Sequence, residues 1–223
     1  VASELKNGQI RCERFENGAK LLCARSPHIT MGNLYLVGNN LDGEIWNYFD
    51  LGDNIVCVNA INENIQQRLN GCDYDSDTML ITDDKLLVEF AEKHNSLFKV
   101  PVCSIASVGN VSPALSELDH KTSENKIGEI VNLSQKLNSI IWDKLNNGTS
   151  TADILTVYED ICKLAVLSGL EIDKAKRAYD NVKVGTELNA LRKKYNEPAP
   201  TFFQEIDEVY GSGDKQYAFY NTT

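Results

Sequence analysis

Asn70-Gly71-Cys72-Asp73-Tyr74-Asp75-Ser76-Asp77 sets three aspartates at alternate positions between two short apolar runs. Alternate side chains of a regular strand share a face but are spread along it, so the three carboxylates meet at one point only if the backbone curls into a loop. Gathered without a counter-charge they repel one another, and at least one tends to protonate. A hard divalent cation relieves that repulsion, and an all-oxygen donor set suits Mg²⁺ or Ca²⁺ rather than zinc. The alternatives are a solvated acidic turn and a calcium loop. In an EF-hand register Asp73, Asp75 and Asp77 would take the first, third and fifth positions and Asp84 the last. The sixth position is then Thr78, where the sharp turn wants glycine, and the last is Asp rather than a bidentate Glu. The flanks read as strands, not helices.

Outward from this cluster the first hundred residues carry strand signals. Ile10-Arg11-Cys12-Glu13-Arg14-Phe15 alternates apolar and polar side chains, Asn17-Gly18 supplies a hairpin turn, and Lys20 to Ala24 resumes an apolar run. Asn33 to Val37, Ile55-Val56-Cys57-Val58 and Thr78-Met79-Leu80-Ile81 follow, with turn residues between them. Short strands at this spacing predict a compact β-barrel.

From Asp83 the period becomes helical. Leu86, Leu87, Phe90 and Ala91 fall on one face, with Asp83 or Asp84 as cap. Residues 100–122 read as irregular. Ile127, Ile130, Val131, Ser134, Leu137, Ile141 and Leu145 mark a long amphipathic helix stopped at Asn147-Gly148. Ser150 or Thr151 opens another, with Ile154, Leu155, Tyr158, Ile161, Leu164 and Ala165 inward and a stop at Gly169. Charged helices are expected over about 171–181 and 186–195, and the last twenty residues read as an extended tail. The fold class is α+β, with barrel over 1–100, helices over 101–196 and tail over 197–223.

Composition narrows the function. The 223 residues carry 22 Lys+Arg against 32 Asp+Glu, a formal charge of −10, which argues against an autonomous nucleic-acid-coating protein. Six cysteines form no CxxC pair, against zinc ribbons and redox motifs and in favour of a reducing compartment. No apolar run approaches the ~20 residues that span a bilayer. A cytoplasmic protein, or an excised piece of a longer chain, is the expectation.

The loop Asp73-Tyr74-Asp75-Ser76-Asp77 resembles the DxDxD hallmark of the two-barrel RNA polymerases, usually Asp-Phe-Asp-Gly-Asp or Asp-Leu-Asp-Gly-Asp. Upstream, Ala24-Arg25-Ser26-Pro27-His28 is similar to that family's Arg-Ala-Pro or Arg-Asn-Pro signature, with Asn33-Leu34-Tyr35-Leu36 as the strand that follows it and Ile55 to Ala60 as the strand leading into the metal loop. The helical blocks Lys126-Ile127-Gly128-Glu129-Ile130-Val131-Asn132, Ile161-Cys162-Lys163-Leu164-Ala165 and Ile172-Asp173-Lys174-Ala175-Lys176 resemble the region after the barrel in cellular RNA-dependent RNA polymerases of RNA silencing. The resemblance extends to single-chain phage and bacterial relatives, and more distantly to the large catalytic subunit of multisubunit enzymes. It covers roughly 10–196. Two departures stand out: Ser76 replaces the usual glycine, and Gly71 takes the place of an asparagine, with Asn70 one residue further back.

The resemblance implies a double-psi β-barrel followed by a helical bundle, and Mg²⁺-dependent nucleotidyl transfer from NTPs to an RNA 3′-hydroxyl. Asp73, Asp75 and Asp77 would hold the metal in a two-metal scheme, with Mn²⁺ an acceptable substitute. Arg25 would contact the incoming nucleotide's ribose or the primer end, Asn70 the ribose, and Lys176 a phosphate or template. For Arg25 the alternative is a partly buried arginine that bridges loops. The segment 171–196 has seven basic residues against four acidic ones, a net +3, and is the candidate nucleic-acid contact for template or product. The family's catalytic lysines come from a second barrel, for which 223 residues leave no room, so a partner domain outside the chain is expected. The competing function is a non-catalytic Ca²⁺-binding or scaffold module, with a barrel that has lost its activity as a third.

Overall fold

Four short strands within the first sixty positions and a fifth near residue 80 pair, among the described residues, into a five-stranded sheet. The computed structural model describes residues 4–106, 114–123, 125–174 and 182–196. Its strands are Gln9–Cys12 (β1), Lys20–Ala24 (β2), Tyr35–Asn39 (β3), Val56–Val58 (β4) and Leu80–Thr82 (β5), in the order β4-β1-β3-β2-β5. β1 and β3 run parallel, and the other three pairings are antiparallel. The sheet curls: Val56 and Val58 of one edge strand and Leu80 and Ile81 of the other line the same cleft of about 660 Å³. It is a half-barrel whose open side is that cleft.

The period-two pattern sorts residues to its two faces. Ile10, Cys12, Leu21, Cys23, Tyr35 and Val37 point into the concavity, where Ile65, Leu69 and Cys72 complete a core. Leu22 points the other way, onto Val88 and Ala91 of a covering helix. Asn39, also buried, uses its side chain as a clasp. Its amide donates to the carbonyls of Cys12 and Phe15, and its oxygen accepts from the Cys12 N–H at 2.9 Å. Burial pushes the Cys23 thiol up to about 12, helped by the neighbouring Cys12, so this core cysteine stays a protonated packing group.

Among the described residues, six α-helices accompany the sheet: Ile65–Arg68 (α1), Lys85–His94 (α2), Leu115–Ser123 (α3), Ile127–Asn146 (α4), Thr151–Asp173 (α5) and Val184–Lys194 (α6). α4 stops as expected, with Gly148 in the left-handed region (φ 68°) and its N–H donating to the Leu145 carbonyl at 3.2 Å. Ser150 caps α5 by accepting from the Asp153 N–H. The two helices form a second core of Ile130, Leu137, Ile141, Ile154, Ile161 and Leu164, all essentially inaccessible.

Four sequence expectations are corrected. α5 does not stop at Gly169 but runs to Asp173. A mid-helix glycine costs about 1 kcal/mol relative to alanine, and burial of Leu167 and Leu170 on either side outweighs it. The stretch 100–122, read as irregular, contains α3. In α2 the inward residues are Val88 and Ala91, whereas Leu86, Leu87 and Phe90 are exposed, Phe90 with its ring 4.9 Å from that of Trp142. The narrow contact with Leu22, Leu34 and Leu36 selects the small side of that helix. Leu155, expected inward, is partly exposed.

Sheet and helices meet at a tight joint. The Tyr158 hydroxyl accepts from the Gly32 N–H at 3.1 Å and donates to the Lys99 carbonyl at 2.7 Å. A Cβ on residue 32 would overlap both of those oxygens, so only glycine fits there. Ile29 and Phe98 carry the helical core to the same joint.

Three basic residues of the segment expected over 171–196 are engaged within the fold. Lys174 pairs with Glu171, Arg192 with Glu129, and Lys194 with Asp160. Lys176 and the tail lie outside the described residues. Asp160 is a buried carboxylate that accepts from Lys163, Lys194 and the Tyr195 hydroxyl. Burial alone would raise its pKa, but these three donors outweigh burial and hold it below the ordinary 3.8. A lowered folded pKa contributes stability that is present above the unfolded value and lost as pH falls through the folded one. Asp160→Asn is therefore expected to destabilise the chain by about 2–3 kcal/mol at neutral pH, mainly by unpairing α6. In urea melts at stepped pH, the gap between the two proteins should close as pH falls below about 4; a gap independent of pH would refute the role given to Asp160.

Candidate metal centre

The acidic loop hangs between two anchored ends. On its N-terminal side α1 is capped by Asn64, whose side chain accepts from the Gln67 N–H at 3.2 Å, and is fixed beneath the sheet by buried Ile65 and Leu69. The buried Asn33 donates to the Gln67 and Arg68 carbonyls at 3.1 and 3.2 Å, satisfying the helix's last acceptors. This helix interrupts what the sequence suggested was a direct strand-to-loop path from Ile55 to Ala60. Asn70 and Gly71, at φ 56° and 76°, then reverse the chain. Cys72 drops back into the half-barrel core at 4% exposure, so Asp73 starts from a buried footing.

On its C-terminal side the loop runs into β5, which pairs antiparallel with β2: Ala24 faces Leu80, and Cys23 faces Ile81. The next residue of β2's chain is Arg25, which this register delivers to the end of the loop. Its guanidinium donates to Asp77 Oδ1 through Nη2, and to the Asn70 carbonyl at 3.1 Å through Nη1. The Asn70 side-chain amide donates in turn to the Pro27 carbonyl. Arg25 and Asn70 thus clasp the loop to the turn after β2, which is the loop-bridging alternative raised by the sequence.

Between these ends the backbone curls. Tyr74 (φ 64°) and Ser76 (φ 88°) both occupy the left-handed region, which side-chain-bearing residues enter at a cost of order 1 kcal/mol. Ser76, which stands where the DxDxD pattern usually has glycine, therefore sits in the backbone region that favours glycine. The result is what alternate aspartates require: Asp73, Asp75 and Asp77 each offer a carboxylate oxygen, and these lie within 4.8 Å of one another. The Asp73 N–H also donates to Asp77 Oδ2 at 3.1 Å, closing the curl. The Arg25 and Asp77 side chains are only 18% and 21% exposed, while the loop as a whole faces solvent.

The donor set fits a hard divalent cation. Oxygens bound at 2.0–2.1 Å around magnesium stand roughly 3–4 Å apart, so a small inward movement of the three carboxylates completes the arrangement. An EF-hand geometry is not what surrounds them. The loop leads into strand β5, and Asp84, the would-be last ligand, caps α2 by accepting from the Leu87 N–H at 3.0 Å. The local field reaches the next thiol: burial first, then the charges of Asp77 and Asp73, push the Cys72 pKa up against the opposing effect of Arg25.

Arg25, Ser76 and Asp77 also line the open cleft of the half-barrel, with Arg14, Asp53 and Asn54 along the same cleft. Arg14 donates to the Asp53 carbonyl at 3.0 Å and to the Asn54 side chain. These three residues carried no motif in the sequence; only the pairing of β1 with β4 brings them near the cleft. On the other side of the Asn70-Gly71 turn lies a smaller cavity of about 240 Å³, lined in part by Gln67, Cys103, Gly169 and Asp173. Arg25, Asn70 and the three aspartates are therefore brought together.

No family model, curated protein or solved structure matches the chain. No described helix is long and apolar enough to cross a membrane.

The strain at Ser76 gives a direct check. Ser76→Gly is expected to stabilise the chain by about 0.5–1 kcal/mol in urea denaturation, because glycine enters the left-handed region without the Cβ penalty. A destabilised variant would show that this residue does not take the left-handed turn.

Proposed function

We propose that this chain is the metal-binding part of a template-directed RNA polymerase, a nucleotidyltransferase of the two-barrel kind, with its half-barrel forming the core of a double-psi β-barrel. The observation that carries the reading is the gathering of Asp73, Asp75 and Asp77 on a curled loop at the mouth of a cleft. The Arg25-Ser26-Pro27 element, a separate part of the resemblance, supports it through Arg25, which meets the same loop.

Nucleotidyl transfer asks the protein mainly for positioning and charge neutralisation. Asp73, Asp75 and Asp77 would hold Mg²⁺, or Mn²⁺ in its place, which supplies charge neutralisation at the phosphates and activation of the attacking hydroxyl. Asn70 and Arg25 fix where the loop sits relative to β2, and the cleft beside it offers room for a nucleotide. The Arg25 side chain, anchored at the strand end, has the reach to meet a phosphate or ribose there. The second barrel, with its lysines, and the template and product strands belong to the complete enzyme. A net charge of −10 agrees with a catalytic piece whose basic partner lies elsewhere.

The complete protein is expected to make RNA from NTPs only with Mg²⁺ or Mn²⁺, and Asp75→Ala is expected to lower that synthesis by at least about 10³-fold with folding intact by circular dichroism. Normal synthesis by the variant would overturn the proposal. Micromolar Ca²⁺ binding without any nucleotide-dependent chemistry would favour the calcium or scaffold reading instead.

A further inference from the structure

The carboxylate that closes the loop is already in use. Asp77 receives the Arg25 guanidinium on Oδ1 and the Asp73 N–H on Oδ2, so both of its carboxylate oxygens accept from donors of this chain. Arg25 does not belong to the loop: it stands at the end of β2, delivered there by the β2–β5 register. With three aspartates and one arginine the constellation has a formal charge of −2, one less negative than the aspartates alone. The same guanidinium lines the cleft next to Ser76 and Asp77, where a polyanion in the cleft would meet it.

We propose that Arg25 is a built-in counter-cation that regulates occupancy of the loop. It lowers the loop's affinity for a divalent ion that arrives alone, and raises its affinity for an ion that arrives with a polyphosphate. This rests on reading the loop as a divalent-metal site for phosphoryl chemistry. The physics is one of competing charges. A free divalent ion is repelled by the guanidinium and competes with it for Asp77. A metal–polyphosphate complex brings oxygens that take over the guanidinium's hydrogen bonds, so Asp77 is released to the metal as Arg25 turns to the phosphate. Arg25 would couple the two ligands as a positive heterotropic link, reciprocal by thermodynamic necessity.

Two probes read the two halves on the full chain: Mn²⁺ alone, followed by the paramagnetic resonance of free ion, and preformed manganese tripolyphosphate, followed by titration calorimetry. Arg25→Gln should bind Mn²⁺ about tenfold more tightly, the size expected for a unit charge repelling a double one across a few ångströms of water-like dielectric. The same variant should bind manganese tripolyphosphate about tenfold more weakly, through loss of a charge-assisted hydrogen bond. Arg25→Lys keeps the charge and should stay within about threefold of the wild type for Mn²⁺. Opposite signs for the two probes are the signature, because a residue that merely holds Asp77 in place would weaken both. Weakening of both, or no change in Mn²⁺ affinity, overturns the role of Arg25; so does an Arg25→Lys variant as tight as Arg25→Gln. Asp75→Asn separates the two levels: if wild type, Arg25→Gln and Asp75→Asn all fail to take up Mn²⁺, the metal site itself is refuted, and the regulatory role with it.

Discussion

Mutual repulsion of three carboxylates within 4.8 Å is the constraint around which this structure is arranged. Two unit charges at ~4 Å cost about 1 kcal/mol in bulk water, and about 4 at the effective dielectric of a protein surface. Within the loop, which carries two non-glycine left-handed backbones, the Asp73 N–H to Asp77 Oδ2 hydrogen bond works against that repulsion. Further support comes from outside it. Leu69 and Cys72 sink one end into the half-barrel core, β5 zips the other to β2, and Arg25 adds a positive charge where the two ends meet. Each support depends on the sheet order, because only with β2 between β3 and β5 does the arginine after β2 reach the last aspartate.

The helices serve the same end at longer range. Tyr158 of α5 reaches across to Gly32 and Lys99, fixing the segment that carries buried Asn33. Asn33 then holds the α1 carbonyls, and α1 sets the start of the acidic loop. This is a continuous chain of hydrogen bonds and packed side chains from helical core to acidic loop. Its links are buried or partly buried and directional.

The loop's shape was legible in the sequence because it is written in residue type and spacing: alternate aspartates meet only where the backbone curls. The long helices α4 and α5 were legible for the same kind of reason, with Ser150 and Gly148 marking their ends. Gly169 misled because a glycine signal is local, while the burial of Leu167 and Leu170 that overrides it is tertiary. The outward turn of Leu86, Leu87 and Phe90 escaped for a related reason. An apolar stripe predicts a buried face, but the sheet offered α2 only the surface of Leu22, Leu34 and Leu36, which the smaller Val88 and Ala91 fit. Arg25 was visible as a candidate, yet its pairing with Asp77 depends on a strand register that no local pattern encodes. The cleft residues Arg14, Asp53 and Asn54 carried no signal at all, since their neighbourhood is created by the curl of the sheet.

In the proposed enzyme Asp73, Asp75 and Asp77 would act together on one divalent ion. Crystals of the protein grown with Mn²⁺ and tripolyphosphate, measured at a wavelength where manganese scatters anomalously, test it most directly. The predicted result is an anomalous peak coordinated by one oxygen from each of the three aspartates at about 2.1–2.3 Å. A map with no peak at the loop, or with manganese held by other residues while the three carboxylates remain apart, would contradict it.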